Sequence, residues 1–193
     1  METDRLTISK TPEREALAMI EFSSVAAGFT ALDIITKTAE VDILAAQAIC
    51  PGKYMILFSG GIGAVNASLE AARRVSTQID EFMLGSPHPD IFPALGSEIP
   101  LPEKTALGLV ETYSGASAIK SADTAAKTAW VQLAEIRIAH GMCGKSTVLI
   151  TGELAAVAAA LDAAKKEAAY MGQLLDTALI PNPDGKMLAA MRG

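Results

Sequence analysis

The chain has 193 residues, half of them hydrophobic and 5 % aromatic, with a formal net charge of −6. No basic stretch suits nucleic acid, no apolar run reaches the roughly 20 residues of a membrane helix, and the polar Met1–Glu15 segment lacks a signal-peptide core. Two cysteines without a secretory signal argue against a structural disulfide and for a reducing, cytoplasmic setting, where each thiol is buried filler, a nucleophile or a metal ligand.

The residues from Ala16 onward read as two copies of one unit. Ala16-Leu17-Ala18-Met19-Ile20-Glu21 returns as Ala106-Leu107-Gly108-Leu109-Val110-Glu111, 90 positions later (106 − 16). Ten of the 26 positions from Ala16 to Val41 are identical in that register. The displacement becomes 92 at Gly52-Lys53 and Gly144-Lys145, and 94 at Pro87-His88-Pro89-Asp90 and Pro181-Asn182-Pro183-Asp184. A repeat of this length means two small domains, each able to hold a core.

In chain order, Ala16 to Phe22 reads as a buried strand. Ser24 is placed to cap a helix over Val25 to Ala39, with Ala27, Ala31, Ile34, Ile35 and Thr38 at helical spacing. Val41 to Ile49 is a strand, Cys50-Pro51-Gly52 a turn, and Tyr54 to Phe58 the returning strand. A helix is expected over Ile62 to Ile79 and a short strand over Glu81 to Leu84, before Pro87-His88-Pro89 closes the unit. Leu95 to Lys104, with Gly96, Pro100 and Pro102, is a stiff linker.

The second copy predicts strand Ala106 to Tyr113, helix Ala116 to Ala129 and strand Gln132 to Ala139. A turn over Gly141 to Gly144 leads to strand Ser146 to Thr151, helix Glu153 to Met171 and strand Leu174 to Ile180. Strand, helix, strand, strand, helix, strand is the ferredoxin-like order, an α+β class. The domains are expected at 16–95 and 105–183, with an N-terminal extension at 1–15 and a tail at 184–193.

Enzyme chemistry is not visible. There is no nucleophile–base arrangement, paired-carboxylate motif or Walker loop, so no catalytic residue is assigned. Gly60-Gly61-Ile62-Gly63 lies before a helix but lacks full phosphate-loop spacing, and helix capping explains it. Glu21 and Glu111 end equivalent strands and read as structural carboxylates. His88 and His140 are the two histidines, and His140 reads as an ordinary polar loop residue. Fold order alone leaves shell proteins, enzymes, metal carriers and tandem small-molecule-binding regulatory proteins open.

The motifs resemble bacterial microcompartment (BMC) shell domains. Those domains begin with an A-[IL]-G-[MLV]-[IV]-E strand, as Ala106 to Glu111 does. They carry a D-x-x-x-K-x-A-x-V helix end, matched by Asp33 to Val41 and Asp123 to Val131. A G-D-[VI]-G-A-V start to the second helix follows, matched loosely by Gly60 to Val65 and Gly152 to Val157. The resemblance implies two tandem BMC domains that assemble as a pseudohexameric homotrimer alongside other shell proteins, in the cytoplasm. It implies tile-edge positions at Lys37, Lys127, His88 and Asn182; at the last two the family usually has Arg, which leaves the details of tiling open. Its pore loops would hold Pro51, Gly52, Met142, Cys143 and Gly144.

Ile49-Cys50-Pro51-Gly52-Lys53-Tyr54 narrows the resemblance to the tandem shell proteins of propanediol-utilising compartments, whose threefold pore holds an iron–sulfur cluster. That implies Cys50 as the metal ligand and a [4Fe–4S] cofactor for electron transfer across the shell, with a lumen or cytosolic redox enzyme as a further partner. Three chains would bring three soft thiolates to one point. Lys53 either favours the thiolate electrostatically or is solvated. Cys143, aligned with Pro51 rather than Cys50, lines the pore, serves as a spare ligand or packs inertly. A metal-free tile with a metabolite pore is the alternative within the family.

Overall fold

The structure is a computed structural model describing residues 14–96, 105–139 and 141–191. His140, most of the expected linker and most of the N-terminal extension lie outside the described residues. The first domain contains β1 (Ala16–Phe22), α1 (Val25–Thr38), β2 (Asp42–Ile49), β3 (Lys53–Gly60), α2 (Ile62–Arg73), β4 (Gln78–Gly85) and α3 (Ile91–Gly96). The second contains β5 (Ala106–Thr112), α4 (Gly115–Thr128), β6 (Gln132–Ile138), β7 (Ser146–Gly152), α5 (Leu154–Tyr170), β8 (Leu174–Ile180) and α6 (Gly185–Met191). Each domain forms one antiparallel sheet, ordered β2-β3-β1-β4 and β6-β7-β5-β8.

Local chemistry explains the helix starts. Ser24 and Ser114 are extended N-caps whose hydroxyls accept from the N–H groups of Ala27 and Ser117, at 3.4 and 3.2 Å. Gly61 offers no side chain at the start of α2, and Glu15 stands in: its Oε2 accepts from the Ile62 N–H at 3.3 Å. A carboxylate there satisfies an orphan donor and suits the positive helix end.

Three expectations need correction. Helix α2 ends at Arg73 rather than Ile79, and β4 begins earlier, at Gln78. The Gln78 side-chain amide donates to the Arg73 carbonyl at 2.7 Å, supplying a partner to one of the orphan carbonyls at the helix end. The short helices α3 and α6 were not expected: α3 runs into the first residues of the expected linker and α6 lies in the expected tail; six or seven residues are too few to show a period. The sheet register also refines the repeat. Leu17 pairs with Leu84, and Leu107 with Ile180, a displacement of 96 (180 − 84) through the last strand. The first domain then has two extra residues, Gly85-Ser86, before its Pro-x-Pro-Asp segment.

All seven residues of β1 are buried. Ala16, Ala18, Ile20 and Phe22 face α1 and α2 in the first domain's own core. Leu17 and Met19 face the other way, into a core shared with Val110, Ala116, Ile119, Ala122 and Ile138 of the second domain. The second domain's α4 therefore lies across the open face of the first domain's sheet. Gly115, at the first turn of α4, is pinched there. A Cβ on it would lie 2.6 Å from Ile138 Cγ2 and 3.4 Å from Met19 Sδ. Gly115→Val should push these side chains off their rotamers and destabilise the chain by about 1–3 kcal/mol; urea denaturation unchanged from wild type would count against the seam as drawn.

Candidate functional site

Two loops meet at the inner ends of the hairpins. The first joins β2 to β3 through Cys50-Pro51-Gly52, with a cis Cys50–Pro51 peptide and Gly52 at φ +75°. The second joins β6 to β7; Gly141, Cys143 and Gly144 have φ of +71°, +54° and +90°. A Cβ on Gly144 would stand 3.2 Å from the Cys50 carbonyl oxygen and 3.9 Å from Pro51 Cδ. Glycine at 144 thus serves both a left-handed backbone and a close approach between loops. The residues expected at the pore are brought together: Cys50, Pro51, Gly52 and Cys143 are exposed, Met142 is half-buried and Gly144 is buried. Both thiols are free.

Each loop is anchored at its base by one lysine–glutamate pair. Lys53 Nζ donates to Glu21 Oε2 at 2.8 Å, and Lys145 Nζ to Glu111 Oε1 at 2.6 Å. The solvated reading of Lys53 does not hold: its ammonium is committed to Glu21 and its side chain is largely covered. Glu21 is the more enclosed carboxylate, with its side chain 2 % exposed against 25 % for Glu111. Burial raises the Glu21 pKa above its ordinary 4.5, and Lys53 opposes the rise. The Glu111 bond raises Lys145.

A second site of interest is the seam itself. The His88 N–H donates to Asp123 Oδ1 at 2.8 Å, and Lys127 Nζ donates to Asp123 Oδ2 at 2.6 Å and to the Ser86 carbonyl at 2.8 Å. Lys127 and His88 thus tie the end of β4 in one domain to α4 in the other. In the first domain Lys37 meets Asp33 at 2.7 Å in the same i, i+4 relation. Among the described residues that pair stays open: the Asp33 side chain is 59 % exposed, that of Asp123 8 %. Asn182, at the Pro-x-Pro-Asp position matching His88, is exposed. The sequence marked both aspartate–lysine pairs as equivalent but carried no sign that only one is covered.

Among the described residues of one chain, no group of three or more His, Cys, Asp or Glu could hold a metal ion. A cleft of about 540 Å³ opens between the domains, with Gln47, Met55, Phe92, Glu135 and Arg137 on its walls. No helix among the described residues is long and apolar enough to cross a membrane.

The Glu21 shift predicts a pH dependence. The folded chain holds the Glu21 proton more tightly than the unfolded chain does. Stability therefore falls as pH rises from 4.5 to the raised folded value, and is level above it. Urea denaturation across that range should show wild type losing stability relative to Glu21→Gln; a level difference, or one of opposite sign, would remove burial as the dominant influence on Glu21.

The comparisons agree with this arrangement. The BMC domain model matches residues 16–87 and again 106–183. The chain is 31 % identical over 179 residues to the bacterial microcompartment shell protein PduT of Citrobacter freundii, covering 92 % of this chain and 97 % of PduT. Over 83 residues it is 35 % identical to the shell protein EutM of Salmonella typhimurium, covering 42 % of this chain and 83 % of EutM. A crystal structure of a microcompartment protein from Desulfitobacterium hafniense DCB superposes with a TM-score of 0.84 at 40 % identity, covering 89 % of this chain and 97 % of that one. With two complete copies of the fold, each matched by the family model, the chain belongs to the BMC-domain family as a tandem-domain bacterial microcompartment shell protein.

Proposed function

We propose that three copies of the chain close into a pseudohexameric tile whose central pore presents three Cys50 thiols, and that the tile is structural rather than catalytic. The observation that carries the trimer is the half-used seam. Inside one chain, α4 covers the first domain's sheet. The matching surfaces at the two ends are left over. On α1 these are Val25 and Phe29, 40 % and 61 % exposed, with the Asp33–Lys37 pair. On the second domain's sheet these are the half-buried Leu109 and Ile180, beside Leu107 and Leu149, which are buried with Met187 and Leu188 of α6 packed against them. Such a head-to-tail interface either closes a ring or grows without end. Domains repeated round a pore favour the ring. In it Asp33 would accept from the Asn182 N–H of the next chain, as Asp123 accepts from His88.

The donor set fits a [4Fe–4S] cluster only across copies. One chain brings Cys50 on an exposed turn and Cys143 on the adjoining loop, with no group of three or more possible ligands among the described residues. Three Cys50 thiolates round a threefold axis would hold three irons of a cluster that normally takes four thiolates, leaving the fourth to water, a small ligand or a partner side chain. Such a cluster, when bound, would pass electrons between the two faces of the shell. The chain's own part is positional: the Glu21–Lys53 pair holds the base of the loop, and the turn presents the sulfur. Other shell proteins would surround the tile, and a redox enzyme on either side would exchange electrons with it.

Two measurements test this. Phe29→Glu should place a charge on the uncovered α1 face and turn a trimer into monomers by light scattering; a trimer that persists would refute this interface. Protein prepared without oxygen should be coloured and carry one cluster per trimer. Cys50→Ser should lose the iron and keep the trimer. Wild type that stays colourless after reconstitution would leave a metal-free tile with a metabolite pore.

A further inference from the structure

Cys50 and Cys143 are the two cysteines of the chain, and both are free and exposed. Free cysteine is among the most often buried residue types. Two exposed thiols on loops that touch therefore call for a chemical reason rather than a packing one. They stand on different domains, 93 positions apart (143 − 50). Gly144, next to Cys143, nevertheless lies against the Cys50 loop: a Cβ on it would stand 3.2 Å from the Cys50 carbonyl oxygen and 3.9 Å from Pro51 Cδ. Through standard bond lengths, the Cα atoms of the two cysteines are then no more than about 11 Å apart. A disulfide forms at about 7 Å or less, so a shift of a few ångströms brings the sulfurs together.

The loops can make that shift without loosening either domain. Each base is fixed by its own ion pair, Lys53 to Glu21 and Lys145 to Glu111. The tips lie outside the core: Pro51, Gly52, Gly141 and Cys143 are exposed. Cys143 belongs to none of the hydrophobic clusters. Its φ of +54° lies between glycines 141 and 144, also left-handed, so turning the tip gives up no favoured backbone conformation. In the first domain Pro51 stands at the matching position, so the second thiol is not a relic of the repeat. In a reducing compartment, a disulfide between such thiols is transient and redox-sensing.

We infer that Cys50 and Cys143 form a reversible dithiol–disulfide pair within one chain, with Cys143 as the thiol that resolves oxidised Cys50. The oxidant is a small disulfide of the glutathione class. The Cys50 thiolate attacks one of its sulfurs, forming a mixed disulfide and releasing one thiol. The Cys143 thiolate then attacks Cys50 Sγ, forming the Cys50–Cys143 bond and releasing the second thiol. The two cysteine protons end on the two released thiols, and the electron pair has reduced the added disulfide. The oxidised pair has no Cys50 thiolate to give to iron, so the pore loads a cluster only after reduction. That consequence rests on the cluster reading; the disulfide itself rests on the contact between the loops.

Metal-free wild type and Cys143→Ser, prepared without oxygen, are treated with oxidised glutathione and read by intact mass and thiol count. Wild type should lose two hydrogens and both free thiols, carry no glutathione and run as a single chain without reductant. Cys143→Ser should stop with one glutathione on Cys50. Dithiothreitol should reverse both. Two glutathiones on wild type, thiols that stay unreacted, or covalent dimers and trimers in place of the single chain would each overturn the inference. Iron and sulfide are then offered to oxidised wild type before and after dithiothreitol. Colour should appear only after reduction, and full colour before it would overturn the gating of Cys50. A chain that forms the disulfide but stays colourless in both states would remove the cluster and leave the thiol pair standing.

Discussion

A four-stranded sheet with both helices on one side leaves its other face apolar and bare. Everything in this molecule follows from how that face is covered. In the first domain Leu17, Met19, Met55 and Leu57 form it, and they are buried because the second domain lays α4 and β6 on top. The covering uses small residues: Gly115, Ala116, Ala118 and Ala122 let the helix axis approach the sheet closely. The composition now has a structural reason. A chain rich in alanine and poor in aromatic residues can bury broad, flat faces at short range, where bulky side chains would hold helix and sheet apart.

The two domains act as a controlled comparison of one sequence in two surroundings. Asp33 and Asp123, Lys37 and Lys127, Glu21 and Glu111, and Lys53 and Lys145 are pairs of identical residues at equivalent places. In each pair the ion pair itself is kept. What changes is its cover: Asp123 and Glu21 are enclosed, Asp33 and Glu111 are not. The enclosed members lie on opposite sides of a single seam, Asp123 on α4 and Glu21 on the sheet beneath. The open members are the two halves that the proposed trimer would bring together in a second seam of the same kind. That is a stronger argument for a second copy than any exposed apolar residue taken singly, because it uses polar groups whose environment is seen completed once already.

The repeat made much of this readable in advance. Doubling the βαββαβ order exposed the fold class; the Ser24 cap placed α1 within a residue at each end, and the repeat carried the same placement to α4. The two hairpin turns were legible because proline and glycine at 51, 52 and 144 announce a turn, and a cysteine in such a turn is presented rather than packed. The rest was hidden for identifiable reasons. The helix end at Arg73 depends on the Gln78 amide reaching back to a carbonyl, and no periodicity encodes that. The role of Lys53 depends on Glu21, which is 32 positions away. The different surroundings of Asp33 and Asp123 could not be read from identical residues. Trp130 was passed over because a lone tryptophan in a short connection carries no pattern, and only its exposure in the folded chain makes it conspicuous.

Duplication frees a sixfold arrangement to vary with a threefold period, and this chain uses that freedom unevenly along the radius. Where domains bear on one another, the aspartate–lysine and glutamate–lysine pairs are retained in both copies, although Val25 stands against Gly115 and His88 against Asn182. The copies also disagree at the two ends of the β2–β3 and β6–β7 hairpins. At the inner end Cys50-Pro51-Gly52 stands against Met142-Cys143-Gly144. At the outer end Glu40 stands against Trp130. In the proposed trimer these are the places where a domain would face something other than its twin, a pore on one side and the surroundings of the tile on the other. Divergence at those ends leaves the ion pairs shared by the two copies untouched, so new contacts can be gained there without disturbing the groups that tie one domain to the other.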